Sequence, residues 1–222
     1  KENQYIRTRM IRDETVDECH RCISQETLGT ESIRTLSNAT FAKHIKIAEQ
    51  GVTPDYNIKY IDSRFNNLCN LSCRSCGHGL SSSWHATPVF LKAGRSNTDL
   101  YDQIFQQLDN LDRIYFAGGE PLIMQDNYKI VAELDRRGRH NIELIYNTNM
   151  NTNQLKGHSI FDLWKNFKNI SIGASLDAEG IRGEYLRTGT IWEKVVNFRS
   201  ELIEQRPDID FFVSCTTSII NV

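Results

Sequence analysis

Five apolar segments, and the amphipathic segments between them, constrain the fold of this chain more than any other feature of its sequence. The alternation begins at Asn57, and the amphipathic segments predict helices because their apolar residues recur four apart, as in Leu100, Ile104 and Leu108. Strands that alternate with helices are typical of parallel β-α units. The predicted strands lie at 57–65, 112–117, 141–146, 169–176 and 210–217, and the predicted helices at 98–108, 128–137, 161–167 and 192–204.

The order of these elements is compatible with a barrel and with an open, doubly wound sheet. In both architectures the functional groups lie where the parallel strands end. Each predicted strand is followed by glycine or polar residues, such as Gly118 after the second strand and Asn147 after the third. We therefore expect a functional site at the carboxyl edge of the sheet.

The first 50 residues differ in composition from the rest, since they are charged and contain no run of residues that favour β-strands. One helix is predicted there, at 36–47, and Gly51 with Pro54 marks a break after it. We expect a short, mainly helical N-terminal segment over residues 1–55 and an α/β domain over residues 56–222.

Composition excludes several classes of protein. Of the 222 residues 39% are hydrophobic and 24% are charged, which is typical of a soluble globular chain. The net charge of −2 gives no electrostatic case for a nucleic acid or a membrane surface as partner. No apolar run approaches the ~20 residues of a membrane-spanning helix, and the first residues lack the apolar stretch of a secretory signal. We expect a cytoplasmic protein.

Three cysteines lie close together directly after the first predicted strand. Cys69, Cys73 and Cys76 have the spacing C-x3-C-x2-C, and thiolate is the ligand that iron–sulfur clusters and zinc select. A structural zinc site needs a fourth ligand, which His78 or His85 would supply. A four-iron cluster held by three thiolates would instead leave one iron open for chemistry. The residues alone leave an iron–sulfur cluster, a zinc site and structural thiols as alternatives.

This loop resembles the cluster loop of the radical SAM superfamily. The resemblance implies a partial (β/α)6-type barrel, of which residues 56–222 lack the last β/α unit. It also implies that Cys69, Cys73 and Cys76 hold a four-iron four-sulfur cluster whose fourth iron is chelated by S-adenosylmethionine. In the family, reductive cleavage of S-adenosylmethionine gives a 5′-deoxyadenosyl radical that abstracts hydrogen from a substrate. Such cleavage implies an electron donor of the flavodoxin or ferredoxin type.

The sequence Gly-Gly-Glu-Pro follows the second predicted strand. Paired glycines before a proline are common in turns, and an ordinary turn is one interpretation. Glycines also let backbone carbonyls approach a ligand, and a glutamate offers a negative partner for an ammonium group. The sequence resembles the GGEP element of the radical SAM superfamily, which implies that Gly118, Gly119, Glu120 and Pro121 bind the methionine end of the cofactor.

Polar residues also follow the third and fourth predicted strands. Asn147-Thr148-Asn149 lies where members of the superfamily have a Thr-Asn pair, and Ser175, Asp177 and Arg187 resemble elements of its peptide-modifying branch. The resemblance implies that Asn149, Ser175 and Arg187 hold the ribose and carboxylate of the cofactor, with Asp177 as a further candidate. An arginine suits a carboxylate because its guanidinium donates two parallel hydrogen bonds. The alternative is that these residues form turns and a solvated surface. Ser75 departs from the family, which often has an aromatic residue there against adenine.

A second pair of cysteines, Cys19 and Cys22, lies in the N-terminal segment. Two thiols cannot close a metal site by themselves. Together with an E-x2-G-x2-S-x-R pattern at residues 26–34, the pair resembles the end of a twitch or SPASM-type auxiliary-cluster segment. That resemblance implies a second iron–sulfur cluster and a peptide substrate, whereas an orphaned structural pair is the alternative. We expect Cys215, in the last predicted strand, to be a buried and inert thiol.

The sequence therefore favours a radical SAM enzyme that acts on an unidentified substrate, with a peptide as the class suggested by the twitch-type resemblance. The alternative function is a binding module that holds zinc or an iron–sulfur cluster without catalysis. The two functions differ in whether S-adenosylmethionine is cleaved.

Overall fold

The chain divides into two compact units, residues 1–56 and residues 57–222. The predicted break at Gly51 and Pro54 lies outside the described residues. The computed structural model describes residues 2–12, 14–50, 57–85 and 97–221.

The described part of the first unit is helical. The helix predicted at 36–47 is interrupted at Phe41, whose backbone leaves the helical conformation (φ −108°, ψ 24°). Ser37, Asn38 and Thr40 are weak helix formers because their side chains compete for backbone hydrogen bonds, and they weaken the helix at this point. The helices are α1 (Glu2–Ile11), α2 (His20–Thr27), α3 (Ile33–Thr40) and α4 (Ile45–Glu49).

Five strands of the second unit form one parallel sheet, and helices lie between consecutive strands in the chain, as the sequence predicts. The strands are β1 (Tyr60–Ser63), β2 (Arg113–Phe116), β3 (Glu143–Thr148), β4 (Asn169–Ala174) and β5 (Asp210–Val213). The helices are α5 (Asn97–Gln107), α6 (Gln125–Arg136), α7 (Ile160–Trp164), α8 (Gly180–Leu186) and α9 (Trp192–Gln205).

Strand order decides between the two parallel architectures that the sequence left open. The strands pair in the order β1-β2-β3-β4-β5, which is their order along the chain. A doubly wound sheet reverses its direction of growth at a switch point, whereas a barrel adds each strand on the same side. Because parallel crossovers are right-handed, steps in one direction place all helices on one face. The predicted α/β fold of a partial barrel is confirmed.

The register of the sheet separates an apolar face from a polar face. Phe116, Tyr146 and Ile172 pair across β2, β3 and β4, and all three side chains are buried in the core with the helices. Alternate residues point to the opposite face, where Arg113 and Glu143 form an ion pair across β2 and β3. One face of the sheet therefore carries the core, and the other is polar and partly exposed.

The prediction for Cys215 was wrong. The last strand ends at Val213 rather than at residue 217, and Cys215 is exposed in the segment that follows. Among the described residues β5 pairs only with β4. The backbone after Val213 turns toward β4's carboxyl end, where the Thr216 amide donates to the Asp177 carboxylate at 2.9 Å. Within the same described residues, no helix is long and apolar enough to cross a membrane.

The assignment of the two faces predicts that replacing two phenylalanines by alanine has very different effects on stability. Phe116 is fully buried and stacks on Tyr146, with 4.7 Å between the ring centroids, whereas Phe212 is 45% exposed. We expect Phe116→Ala to lower the free energy of unfolding by about 3–5 kcal/mol, because it leaves a cavity in a packed core. Phe212→Ala, the matched control, should lower it by less than half as much in urea denaturation. Equal losses for the two variants would contradict this assignment of the faces.

Candidate functional site

The three predicted cluster cysteines lie in one loop that follows β1. Cys73 is buried, and Cys69 and Cys76 are half-buried. Two serine hydroxyls close the loop on itself. The Ser81 hydroxyl donates to the Leu71 carbonyl at 2.5 Å, and the Ser83 hydroxyl donates to the Cys69 carbonyl at 2.7 Å. This role was not evident from the sequence, although three consecutive serines after the cysteines are a visible signal of it.

Burial changes the ionisation of these thiols. Loss of hydration raises the pKa of Cys69 to about 11, although the Leu71 amide donates toward its sulfur at 3.4 Å. Burial also raises the pKa of Cys73, and the nearby Arg187 guanidinium acts in the opposite direction. The thiols are close enough for their charges to interact, Cys69 with Cys73 and Cys73 with Cys76. Binding of a metal centre by these side chains would therefore release protons.

All six cysteines are free thiols. Across residues 2–12, 14–50, 57–85 and 97–221, no three histidine, cysteine or acidic side chains converge as ligands of one metal ion.

The Gly-Gly-Glu-Pro turn packs directly against the cysteine loop. Gly118 and Gly119 have positive φ angles of 75° and 28°, which disfavour any other residue. A Cβ at Gly119 would collide with the carbonyl oxygen of Leu68, one residue before the first cysteine. The next amide, of Glu120, donates to that same carbonyl at 2.7 Å. The two glycines are therefore required for the close approach of this turn to the cysteine loop.

The Glu120 carboxylate joins the ends of two strands. Its side chain is fully enclosed, with the residue 1% exposed, and it accepts three hydrogen bonds from the protein. The donors are the Leu122 amide (3.1 Å), the Thr148 hydroxyl (2.7 Å) and the Asn149 amide (2.8 Å). Burial nevertheless raises the pKa of Glu120 to about 7. The sequence suggested a partner for an ammonium group, and the structure adds this role in bracing β3 against the turn. Pro121 begins a buried 3-10 turn after it.

Asn149 connects β3 to the cysteine loop. Its side-chain amide donates to the Asn70 side chain at 2.8 Å, and its own oxygen accepts from the Asn151 amide at 2.9 Å. Between them Met150 is fully buried with φ of 57°, a left-handed conformation that is unfavourable for a side chain of this kind. Strained backbone of this kind clusters at functional sites. Asn70 was not recognised from the sequence.

Arg187 lies beside the cysteine loop rather than in solvent. Residues Ser72–Cys73 pair antiparallel with Arg187–Thr188, so that Cys73 and Arg187 are directly opposite. One guanidinium nitrogen, Nη1, is 4.0 Å from the Cys73 sulfur. The other side of the guanidinium forms an ion pair with Asp177, at 2.9 Å. Arg74 strengthens this pairing, since its amide donates to the Leu186 carbonyl at 2.8 Å.

Ser175 lies at the end of β4, next to this group of residues. Its amide donates to the Thr148 carbonyl at 2.8 Å, and its side chain is half-buried. The structure thus brings the cysteine loop, the Gly-Gly-Glu-Pro turn and the residues after β3 and β4 to one edge of the sheet. Residue by residue, the predicted roles in binding a cofactor remain predictions.

The cysteine pair of the first unit lies at the start of α2. The Cys19 sulfur is 3.9 Å from the Met10 sulfur. In the pattern that follows, Glu26 accepts hydrogen bonds from the Ser32 hydroxyl and the Arg34 guanidinium, which ties α2 to α3. Three of the four residues of this pattern therefore have a structural explanation within the unit.

Similarity to known proteins is found at the level of structure. No family model matches the chain, and no curated protein matches it. SuiB of Streptococcus suis, solved bound to the precursor peptide SuiA, is 18% identical over 85% of this chain and 40% of its own, with a TM-score of 0.52. Native anSMEcpe with bound AdoMet is 17% identical over 71% of this chain and 44% of its own, with a TM-score of 0.49. The likeness to SuiB supports the fold. This chain spans less than half of either protein.

The raised pKa of Glu120 predicts a pH-dependent stability. A carboxyl with a pKa of about 7 when folded and 4.5 when unfolded stabilises the fold below pH 4.5. This contribution is lost as the pH rises through 7. From pH 5 to pH 8, the free energy of unfolding of the parent should fall by about 2 kcal/mol more than that of Glu120→Gln. Urea denaturation at both pH values, under reducing conditions, measures this difference.

Glu133→Gln is the matched control for that experiment. Hydrogen bonds from Arg136 and Arg137 lower the pKa of Glu133 to about 2, so it stays ionised across this pH range. Its removal should leave the parent's dependence between pH 5 and pH 8 unchanged. If Glu120→Gln shows the same dependence as the parent, the buried carboxyl is not the titrating group.

Proposed function

We propose that this chain is a radical SAM enzyme. One observation carries the proposal: the cysteine loop contacts the Gly-Gly-Glu-Pro turn, Asn149 and Arg187 at the carboxyl edge of a sequentially ordered parallel sheet. That edge is where parallel β/α folds bind their ligands. SuiB, whose fold is similar to that of this chain, is a radical SAM enzyme.

The donor set fits a four-iron four-sulfur cluster with S-adenosylmethionine at its open iron, because each thiolate would bind a different iron and the three need not converge on one metal ion. Three thiols occupy one closed loop, a backbone amide donates toward the Cys69 sulfur, and a guanidinium lies near the Cys73 sulfur. Donors of both kinds stabilise thiolate ligands and tune iron–sulfur clusters. When bound, the two groups supply reductive cleavage of S-adenosylmethionine and the 5′-deoxyadenosyl radical that abstracts hydrogen from a substrate.

In this proposal the protein binds the cluster and S-adenosylmethionine, orients them and excludes water from them. Cys69, Cys73 and Cys76 would ligate iron as thiolates. The carbonyls of Gly118 and Gly119 are candidates for the methionine amino group, because no side chain blocks the backbone there. The buried Glu120 and Pro121 would keep this turn in place.

Three further residues would bind the rest of the cofactor. Arg187 presents its Nη1 toward the cysteine loop, where it can donate to a carboxylate. Asn149 and Ser175, at the ends of β3 and β4, are proposed for the ribose. The Asn149 side chain is already bonded to Asn70, which fixes its orientation.

The proposal extends to the domains, the substrate and the electron donor of this protein. We assign residues 56–222 to a radical SAM partial barrel and residues 1–55 to part of a twitch-type region, with Cys19 and Cys22 as ligands of an auxiliary cluster. A peptide is the proposed substrate, and the SuiB structure holds a precursor peptide. Reductive cleavage needs an electron donor of the flavodoxin or ferredoxin type, and free thiols suit a reducing cytoplasm.

The proposal predicts cleavage of S-adenosylmethionine by the reconstituted protein. The chain is incubated anaerobically with iron and sulfide, then with dithionite and S-adenosylmethionine, and 5′-deoxyadenosine is measured by chromatography. We expect the second unit to bind about four irons and to form the nucleoside. Cys73→Ala should reduce nucleoside formation to background, because a cluster with two remaining ligands from the loop is not held.

Cys215→Ala is the control, since this exposed thiol lies outside the proposed ligand set. It should bind iron and form 5′-deoxyadenosine as the parent does. Stoichiometric zinc without iron would favour the alternative, a non-catalytic metal-binding module. Four irons without any nucleoside would show a cluster protein that does not cleave S-adenosylmethionine.

A further inference from the structure

The Asp177 carboxylate is nearly buried and faces Arg187, with both of its oxygens within 2.9 Å of the guanidinium. Oδ1 accepts from Arg187 Nη2 at 2.9 Å and from the Thr216 amide at 2.9 Å, and Oδ2 is 2.9 Å from Arg187 Nε. The two side chains are 4% and 12% exposed. Asp177 and Arg187 therefore form a nearly buried ion pair, and the aspartate acts on its surroundings through the arginine.

The ion pair lies against the cysteine loop. The antiparallel pairing of Cys73 with Arg187 fixes the backbone, and the ion pair fixes the guanidinium, leaving Nη1 4.0 Å from the Cys73 sulfur. An isolated arginine has many rotamers, and holding one of them costs conformational entropy. Two contacts to Asp177 remove that freedom before any ligand binds.

The pairing also sets the net charge beside Cys73. Electrostatic interactions at this distance are strong where water is excluded. The reduction potential of an iron–sulfur cluster depends on the net charge around it and on hydrogen bonds to its sulfurs. An unpaired arginine beside Cys73 would favour the more negative, reduced cluster and raise the potential. An unpaired aspartate would lower it, and the intact pair is neutral.

We infer that Asp177 is a positioning residue, which aims Arg187 at Cys73 and neutralises it so that a bound cluster keeps a low reduction potential. The inference rests on the proposed function, since it concerns the cluster that the cysteine loop would hold. It replaces the direct cofactor contact that the sequence suggested for Asp177. The neighbouring carbonyl of Asp177 also accepts from the Asn221 side chain at 3.3 Å, so the same residue anchors the segment after β5.

The test compares the parent with Asp177→Asn, Arg187→Gln and the double variant. Asparagine keeps an oxygen that can accept from Arg187 and Thr216 but removes the charge. Each protein is reconstituted with iron and sulfide, its iron is counted, and the potential is measured by anaerobic redox titration followed by electron paramagnetic resonance at pH 8. We expect Asp177→Asn to raise the potential, Arg187→Gln to lower it, and the double variant to return close to the parent.

The two single variants should shift the reduction potential in opposite directions, and this distinguishes the positioning role from a structural one. Loosening of the loop would move both single variants in the same direction, and the double variant further. The matched controls are Arg113→Gln and Glu143→Gln, which break another arginine–acid contact (2.6 Å) at the amino ends of β2 and β3. Neither control should move the potential. Shifts of the same sign, or no shift, in single variants that bind iron as the parent does would overturn the inference.

Two further results have a definite meaning. Breaking one partner of a buried pair is destabilising, whereas the double variant leaves no unpaired charge and tests the neutrality of the pair without that cost. A displaced potential in a folded double variant overturns the inference, and the parent's potential in that variant supports it together with opposite shifts in the single variants. A parent that binds no iron would remove the proposed function and this inference together, whereas a parent with a cluster and no opposite shifts removes only the inference.

Discussion

Every feature of the candidate site depends on one constraint, the pairing of five parallel strands in their order along the chain. Parallel strands end at the same edge, so each loop that follows a strand arrives beside the others. The cysteine loop follows β1, the Gly-Gly-Glu-Pro turn follows β2 and the Asn149 turn follows β3. Helices on one face bury that side of the sheet, which leaves the edge and the polar face accessible to ligands.

Buried polar groups then lock these loops together. Glu120 loses its hydration on folding, since it is almost fully buried, and three donors from the β2 and β3 ends offset part of that cost. Asn149 and Arg187 reach the cysteine loop from β3 and from the segment after α8. Because each contact joins segments distant in sequence, the loop is held by the whole sheet edge and not by its own residues alone.

Much of the site was visible in the sequence because its signals are local. Cysteine spacing, paired glycines before Glu120 and polar residues after apolar runs are all read within a few positions. Roles that depend on partners far away were not visible. The sequence offered Glu120 and Asp177 as groups for a cofactor, whereas the structure shows their carboxylates bonded to the protein. The exposure of Cys215 was missed because an apolar run does not reveal where an edge strand ends.

By itself, the sequence determined the α/β class, the places of the five strands and the three-cysteine loop, since hydrophobic periodicity and residue spacing are properties of neighbouring positions. Only the tertiary structure decided the strand order that makes the fold a partial barrel. It also decided that Arg187 lies 4.0 Å from Cys73 although 114 positions separate them. Such contacts follow from pairing and packing across the sheet, and these are set by the balance of burial and hydrogen bonding over the whole domain.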